Sequence, residues 1–264
     1  MSAGVDARPR SDPLGTIHPI RRTIRYYLSR IVISVLTRAW LRFEVEGRDR
    51  LPAGPAIYGF NHLSWTDPFV LMATLPFRPR LSFFGPKEED MRTGGRNRLM
   101  LWTGSAIPYK PGKNDLLEAT RRVSSVIKDG GVLAIAGEGR IGAIEDRLLP
   151  LNDGPAYFAL RTKVPLVPIA INGTSWLRFG AKVRVRIGEP ILVDTRPDRA
   201  AVEATTAELA DRLQALLDGA PTPRREGRVA AWMTERFNEW PEGTRDAALA
   251  AQQAGQTSER AEAV

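Results

Sequence analysis

The stretch FNHLSWTDPF, residues 60–69, holds one of only two histidines in a chain of 264 residues. Five positions beyond His62 stands Asp67, immediately before Pro68. A carboxylate that accepts a hydrogen bond from one imidazole nitrogen fixes the tautomer and stabilises the imidazolium. The other ring nitrogen is then available to take a proton from an alcohol. The same residues also allow plainer readings: Asp67 as an N-cap with Pro68 at the first helical position, and His62 as a satisfied, half-buried loop histidine. The chain has no cysteine and no Gly-x-Ser-x-Gly elbow. An acyl-enzyme is therefore not expected, and the nucleophile would be a hydroxyl on the substrate itself. Further along come Lys87 in FFGPKEED, Lys110 in GSAIPYKPG and Glu138-Gly139-Arg140 in AIAGEGRIG. Each follows an apolar run, where open α/β sheets place ligand-binding groups. Singly, Lys87 and Lys110 read as ordinary solvated surface; with His62 and Asp67 they form an ordered set.

The elements that must position this set follow from the apolar pattern. Strands are predicted at residues 41–46, 56–60, 81–84, 106–109, 132–136, 167–171 and 183–187. A helix begins at Pro68. Another follows Asn114, with Leu116, Leu117, Thr120, Val123 and Ile127 as its stripe and Gly130-Gly131 at its end. Residues 203–218 form a further helix, and residues 224–240 place Val229, Trp232, Met233, Phe237 and Trp240 on one side of another. This alternation predicts one α/β domain over 17–220, with a mixed, mostly parallel central sheet flanked by helices and fronted by an amphipathic helix at 21–43. Residues 1–16 read as a disordered leader, and the Ala-, Gln- and Glu-rich residues 241–264 as a mobile tail.

The formal charge of +8 is uneven, with ten arginines against five acids in residues 1–50. A basic excess favours polyanions: nucleic acid, anionic lipid or phosphorylated metabolites. Nucleic acid is disfavoured, because the arginines interleave with an apolar helical stripe and no nucleic-acid-binding motif is present. Two histidines without cysteine argue against a structural zinc, and no metal site is expected. The segment 21–43 carries six arginines and no acid, with Ile24, Leu28, Ile31 and Val35 on one face. Its apolar run is too short to span a bilayer. An interfacial helix and a core-packed helix with a solvated basic side both fit.

The ordered motifs, above all Asn61-His62-x4-Asp67 and Glu138-Gly139, resemble those of the glycerophospholipid acyltransferase superfamily, the 1-acylglycerol-3-phosphate acyltransferases, over about residues 24 to 220. The resemblance implies His62 as general base and Asp67 as its orienting partner. It implies Asn61, Lys87, Lys110, Glu138, Gly139 and Arg140 around the acceptor, and Pro165 and Pro168 shaping an acyl pocket. It further implies acyl transfer from an acyl-CoA or acyl-ACP co-substrate to a lysophospholipid-like acceptor, with no other cofactor. The partners would be the thioester donor, with acyl carrier protein as one carrier, and an anionic membrane surface, bound peripherally at the cytoplasmic face. This chain departs from the pattern where lysine (Lys110) replaces arginine, Gly137 replaces proline and the cation sits at Arg140 rather than at Ile141. Those departures leave room for a glycolipid or other non-phosphorylated acceptor, or for a catalytically silent protein that binds anionic lipid.

Overall fold

The computed structural model describes residues 19–87, 102–109, 115–176, 178–221, 227–238 and 240–262; the leader 1–16 and Lys110 lie outside them. Seven strands form one sheet: β1 (Arg42–Glu46), β2 (Ile57–Phe60), β3 (Leu81–Lys87), β4 (Ala106–Tyr109), β5 (Val132–Ala136), β6 (Leu166–Asn172) and β7 (Lys182–Ile187). Their order is β1-β7-β6-β2-β5-β3-β4. Only β6 and β7 pair antiparallel; every other neighbouring pair is parallel. Strands β2 to β6 therefore point their carboxyl ends to the same edge, and β2, buried throughout, lies at the centre. Apolar runs such as VLAIA and the LVPIAI of β6 are what a sheet covered on both faces requires.

The helices are α1 (Pro19–Trp40), α2 (Asp67–Thr74), α3 (Asp115–Lys128), α4 (Gly154–Thr162), α5 (Arg199–Leu217), α6 (Arg228–Phe237) and α7 (Arg245–Glu262). One sheet face packs Tyr58, Phe60 and Val167 against α1 and α2, with Tyr26, Val70 and Leu71 among the buried partners. The other packs Ile57, Leu133 and Ile135 against Val123, Phe158 and Leu209 of α3, α4 and α5.

Helix α1 is turned inside out. Its buried residues are Tyr26, Ser29, Arg30 and Ser34, while Ile20, Ile24, Leu28, Val35 and Leu36 are exposed, Leu36 to 64%. The cause lies at the carboxyl end of α2, whose last carbonyls have no partner within that helix. Arg30, wholly buried, donates to the carbonyls of Met72, Leu75, Pro76 and Phe77. Arg38 donates to Ala73 and Arg48 to Thr74. Cations suit a helix carboxyl terminus, so Arg30 and Arg38 of α1 are directed at the end of α2 rather than at solvent alone.

Helix α7 replaces the expected mobile tail. Alanine-rich sequence favours helix, and Ala248 packs with Trp240, Ile141 and Ala143. Gln252 accepts from the Ala143 N–H, and Arg245 stacks on Trp176 at 4.1 Å.

Candidate active site

Leaving β2, the chain meets Asn61, whose side chain is 1% exposed and pairs with Ile171 of β6 in both directions. Nδ2 donates to the Ile171 carbonyl at 2.9 Å, and the Ile171 N–H donates to Oδ1 at 2.7 Å. Asn61 thus extends the sheet by one side-chain rung and aims His62. The sequence expectation put Asn61 around the acceptor; in the structure both its amide nitrogen and its amide oxygen are engaged by backbone of the neighbouring strand.

His62 Nδ1 lies 2.8 Å from Asp67 Oδ2. The same oxygen accepts from the N–H groups of Leu63, 2.7 Å, and Ser64, 2.9 Å. The other, Oδ1, accepts from Thr174 Oγ1 at 2.7 Å. Four donors around a wholly buried carboxyl make an acceptor-only arrangement that suits the ionised form. Although Asp67 heads α2, its side chain folds back onto the loop that carries His62. Thr66 is the N-cap residue and makes no side-chain cap, so the capping reading of Asp67 is wrong. With Nδ1–H given to Asp67, Nε2 is left as the imidazole's lone pair, and the side chain is 22% exposed. Phe60 meets the ring edge to face, centroids 6.2 Å apart.

The loop after β5 clamps His62 from the other side. The His62 N–H donates to Glu138 Oε2 at 2.5 Å, and the Gly142 N–H donates to the His62 carbonyl at 2.7 Å. Glu138 Oε1 accepts from the Leu149 N–H at 2.8 Å. Burial pushes the Glu138 carboxyl up to about 7. Glu138 was expected around the acceptor; in the structure each of its oxygens accepts from a backbone N–H, and it braces the loop that carries His62. Gly139 turns the chain with φ +66°, and a Cβ there would fall 2.6 Å from Asn152 Nδ2. Arg140 pairs with Glu242, Nη2 to Oε1 at 2.8 Å. Lys87 closes β3, and its side chain, like Lys110, lies outside the described residues. The structure thus gathers His62, Asp67, Asn61, Glu138, Gly139 and Arg140 at the carboxyl ends of β2, β5 and β6.

Three further residues support the site. Thr174 holds Asp67 from the loop after β6. That loop is fixed by the buried Glu145, whose carboxylate accepts from the N–H groups of Gly173, 2.7 Å, and Ser175, 3.0 Å. Burial pushes the Glu145 carboxyl up. Asn238, at the end of α6, accepts from the Trp65 N–H at 3.0 Å and from Ser64 Oγ at 3.3 Å. For Thr174 the sequence did hold a signal, a polar Asn-Gly-Thr-Ser run closing a strand beside β2; for Asn238 it held none.

A cavity of about 660 Å3 opens beside the site, lined by Phe84, Ile135, Gly137, Gly139, Tyr157 and Phe158 among others. Pro165 and Pro168 do not line it; Pro168 lies inside β6 and accepts from the Gly188 N–H. Residues 42–172, from the first residue of β1 to the last of β6, match the acyltransferase family. That segment is an acyltransferase-family domain.

The acyltransferase domain contains both members of the dyad and the Glu138-Gly139-Arg140 turn. The chain is 23% identical over 162 residues to a chloroplastic 1-acyl-sn-glycerol-3-phosphate acyltransferase of Brassica napus, a match covering 58% of this chain and 44% of that one. It thus spans less than half of that relative's length. The crystal structure of the 1-acyl-sn-glycerophosphate (LPA) acyltransferase PlsC from Thermotoga maritima is similar with a TM-score of 0.56 and 19% identity, covering 77% of this chain and 85% of that one. At that identity the likeness is one of fold.

Proposed function

We propose that this chain is an O-acyltransferase, moving a fatty acyl group from an acyl-CoA or acyl-ACP thioester to a hydroxyl of lysophosphatidic acid or a related lipid. The observation that carries the proposal is the 2.8 Å contact between His62 Nδ1 and a fully buried Asp67, with the His62 side chain itself 22% exposed. Nε2 removes the proton of the acceptor hydroxyl as that oxygen attacks the thioester carbonyl carbon. The tetrahedral intermediate collapses with cleavage of the C–S bond, and the imidazolium returns the proton to the departing thiolate. No side chain is acylated, and the base is regenerated. A thioester is already activated, so orientation and proton removal supply most of what is needed.

The donor's acyl chain is assigned to the 660 Å3 cavity. Support comes from its aromatic and aliphatic lining and from Gly137 and Gly139, which flank the residue bracing His62. The acyltransferase sits peripherally on the cytoplasmic face of a membrane, held by the outward apolar face of α1. That helix contains no acid, and Arg21 is exposed beside the apolar residues. Among the described residues no helix is long and apolar enough to cross a membrane. The test is to incubate purified protein with a long-chain acyl-CoA and a panel of lysophospholipids and to identify products by mass spectrometry. A diacyl product with release of free thiol is expected. Lipid binding without thiol release would contradict the proposal and mark a silent lipid-binding protein.

A further inference from the structure

The segment after α6 reaches back over the site and delivers a carboxylate to it. Its course is fixed at three points. Asn238 is bonded to the catalytic loop at Ser64 and Trp65, Trp240 is buried with Ile141, Ala143 and Ala248, and Arg245 donates to the Ala143 carbonyl at 3.0 Å. Glu242 lies between these anchors. Its partner Arg140 sits between Glu138, which accepts from the His62 N–H, and Gly142, which donates to the His62 carbonyl. Arg140 therefore belongs to the turn that clamps the backbone of His62, and in the O-acyltransferase reading its cation faces the acceptor's head group.

The pair is incompletely made. An arginine meets a carboxylate best through two parallel N–H···O bonds. Here one is formed, and both Arg140 Nε and Glu242 Oε2 are buried without a hydrogen-bond partner. Two buried polar atoms left unpaired weaken the contact as a structural device. Its remaining consequence is electrostatic: it cancels the charge of Arg140 and puts a carboxylate beside the head-group position.

We propose that Glu242 determines acceptor specificity, disfavouring doubly charged phosphomonoester heads relative to neutral ones. The proposal rests on the O-acyltransferase reading, with Arg140 facing the acceptor. A phosphomonoester approaching Arg140 must displace Glu242 or share the guanidinium with it against like-charge repulsion. A neutral glycerol head meets no such opposition.

The test compares wild type with Glu242→Gln and Glu242→Ala, using lysophosphatidic acid and a monoacylglycerol of the same chain as acceptors. Glu242→Gln keeps the shape and removes the charge. It should raise kcat/KM for lysophosphatidic acid about tenfold, mainly through KM, and leave monoacylglycerol within about twofold. Glu242→Ala should shift the ratio the same way. An unchanged ratio, or an equal change for both acceptors, overturns the proposal. Calorimetric titration of lysophosphatidic acid without thioester reads the same preference. Wild type silent on every acceptor would overturn the functional reading, while tighter binding to Glu242→Gln would still uphold the role of Glu242.

Discussion

Helices α1 and α3 both carry an apolar stripe and a charged side, and they use them in opposite ways. In α3, Ala119, Val123 and Ile127 are buried against the sheet while Glu118 is exposed and pairs with Arg122 one turn on. In α1 the buried side is polar and Ile24, Leu28 and Val35 face outward. Periodicity identifies a stripe but not its direction. Direction was decided by the partner: α3 lies on apolar strands, whereas α1 lies on the end of α2, a row of carbonyls that only donors can satisfy.

This contrast can be broken by substitution. Val123→Asp in α3 would bury an unpaired charge and should cost roughly 4 kcal/mol or more in a denaturant melt. Arg30→Ala in α1 should cost a comparable roughly 3–5 kcal/mol, because the carbonyls of Leu75, Pro76 and Phe77 lose the Arg30 donor and Met72 keeps only Ser34 Oγ. If Arg30→Ala proves as mild as an ordinary surface change, the inward polar face of α1 is misassigned. Leu28→Asp with Val35→Asp should move stability by less than about 1 kcal/mol. The same pair should weaken binding to vesicles containing anionic lipid by about tenfold or more in a sedimentation assay. A double variant that unfolds would instead place this face in a protein interior.

A smaller effect tests the clamp around His62. The ordinary Glu138 value near 4.5 is raised to about 7 in the folded chain. Between those values the folded state holds a proton that the unfolded state has shed. This group's stabilising contribution is therefore full below about 4.5 and lost as pH rises through about 7. Glu138→Gln should flatten that part of the stability profile, and melts recorded across pH 4 to 8 would show it. A variant slope identical to that of wild type would contradict the burial of Glu138.

Much of the fold was legible because each strand is a short apolar run ended by glycine, proline or charge, and all seven lie where the pattern put them. Helix α4 was missed because its opening Gly-Pro reads as a turn, although proline is at home in a first helical turn. Helix α7 was missed because its buried side is alanine and glutamine, too weak a stripe to separate from a tail. The dyad was legible because its two residues are local in sequence. Thr174 meets Asp67 across 107 positions and Glu242 meets Arg140 across 102, distances over which no spacing rule operates. Asn61 and Glu138 were expected around the acceptor, and their side chains meet backbone groups. A polar side chain at the end of a buried strand goes first to neighbouring backbone groups, and only what remains can meet a substrate.

The most direct measurement is the rate of thiol release from a long-chain acyl thioester when lysophosphatidic acid is added, comparing wild type with His62→Ala. The dyad assignment predicts a fall of roughly 10²–10⁴-fold with an unchanged melting transition. A folded His62→Ala protein that turns over at the wild-type rate would contradict it.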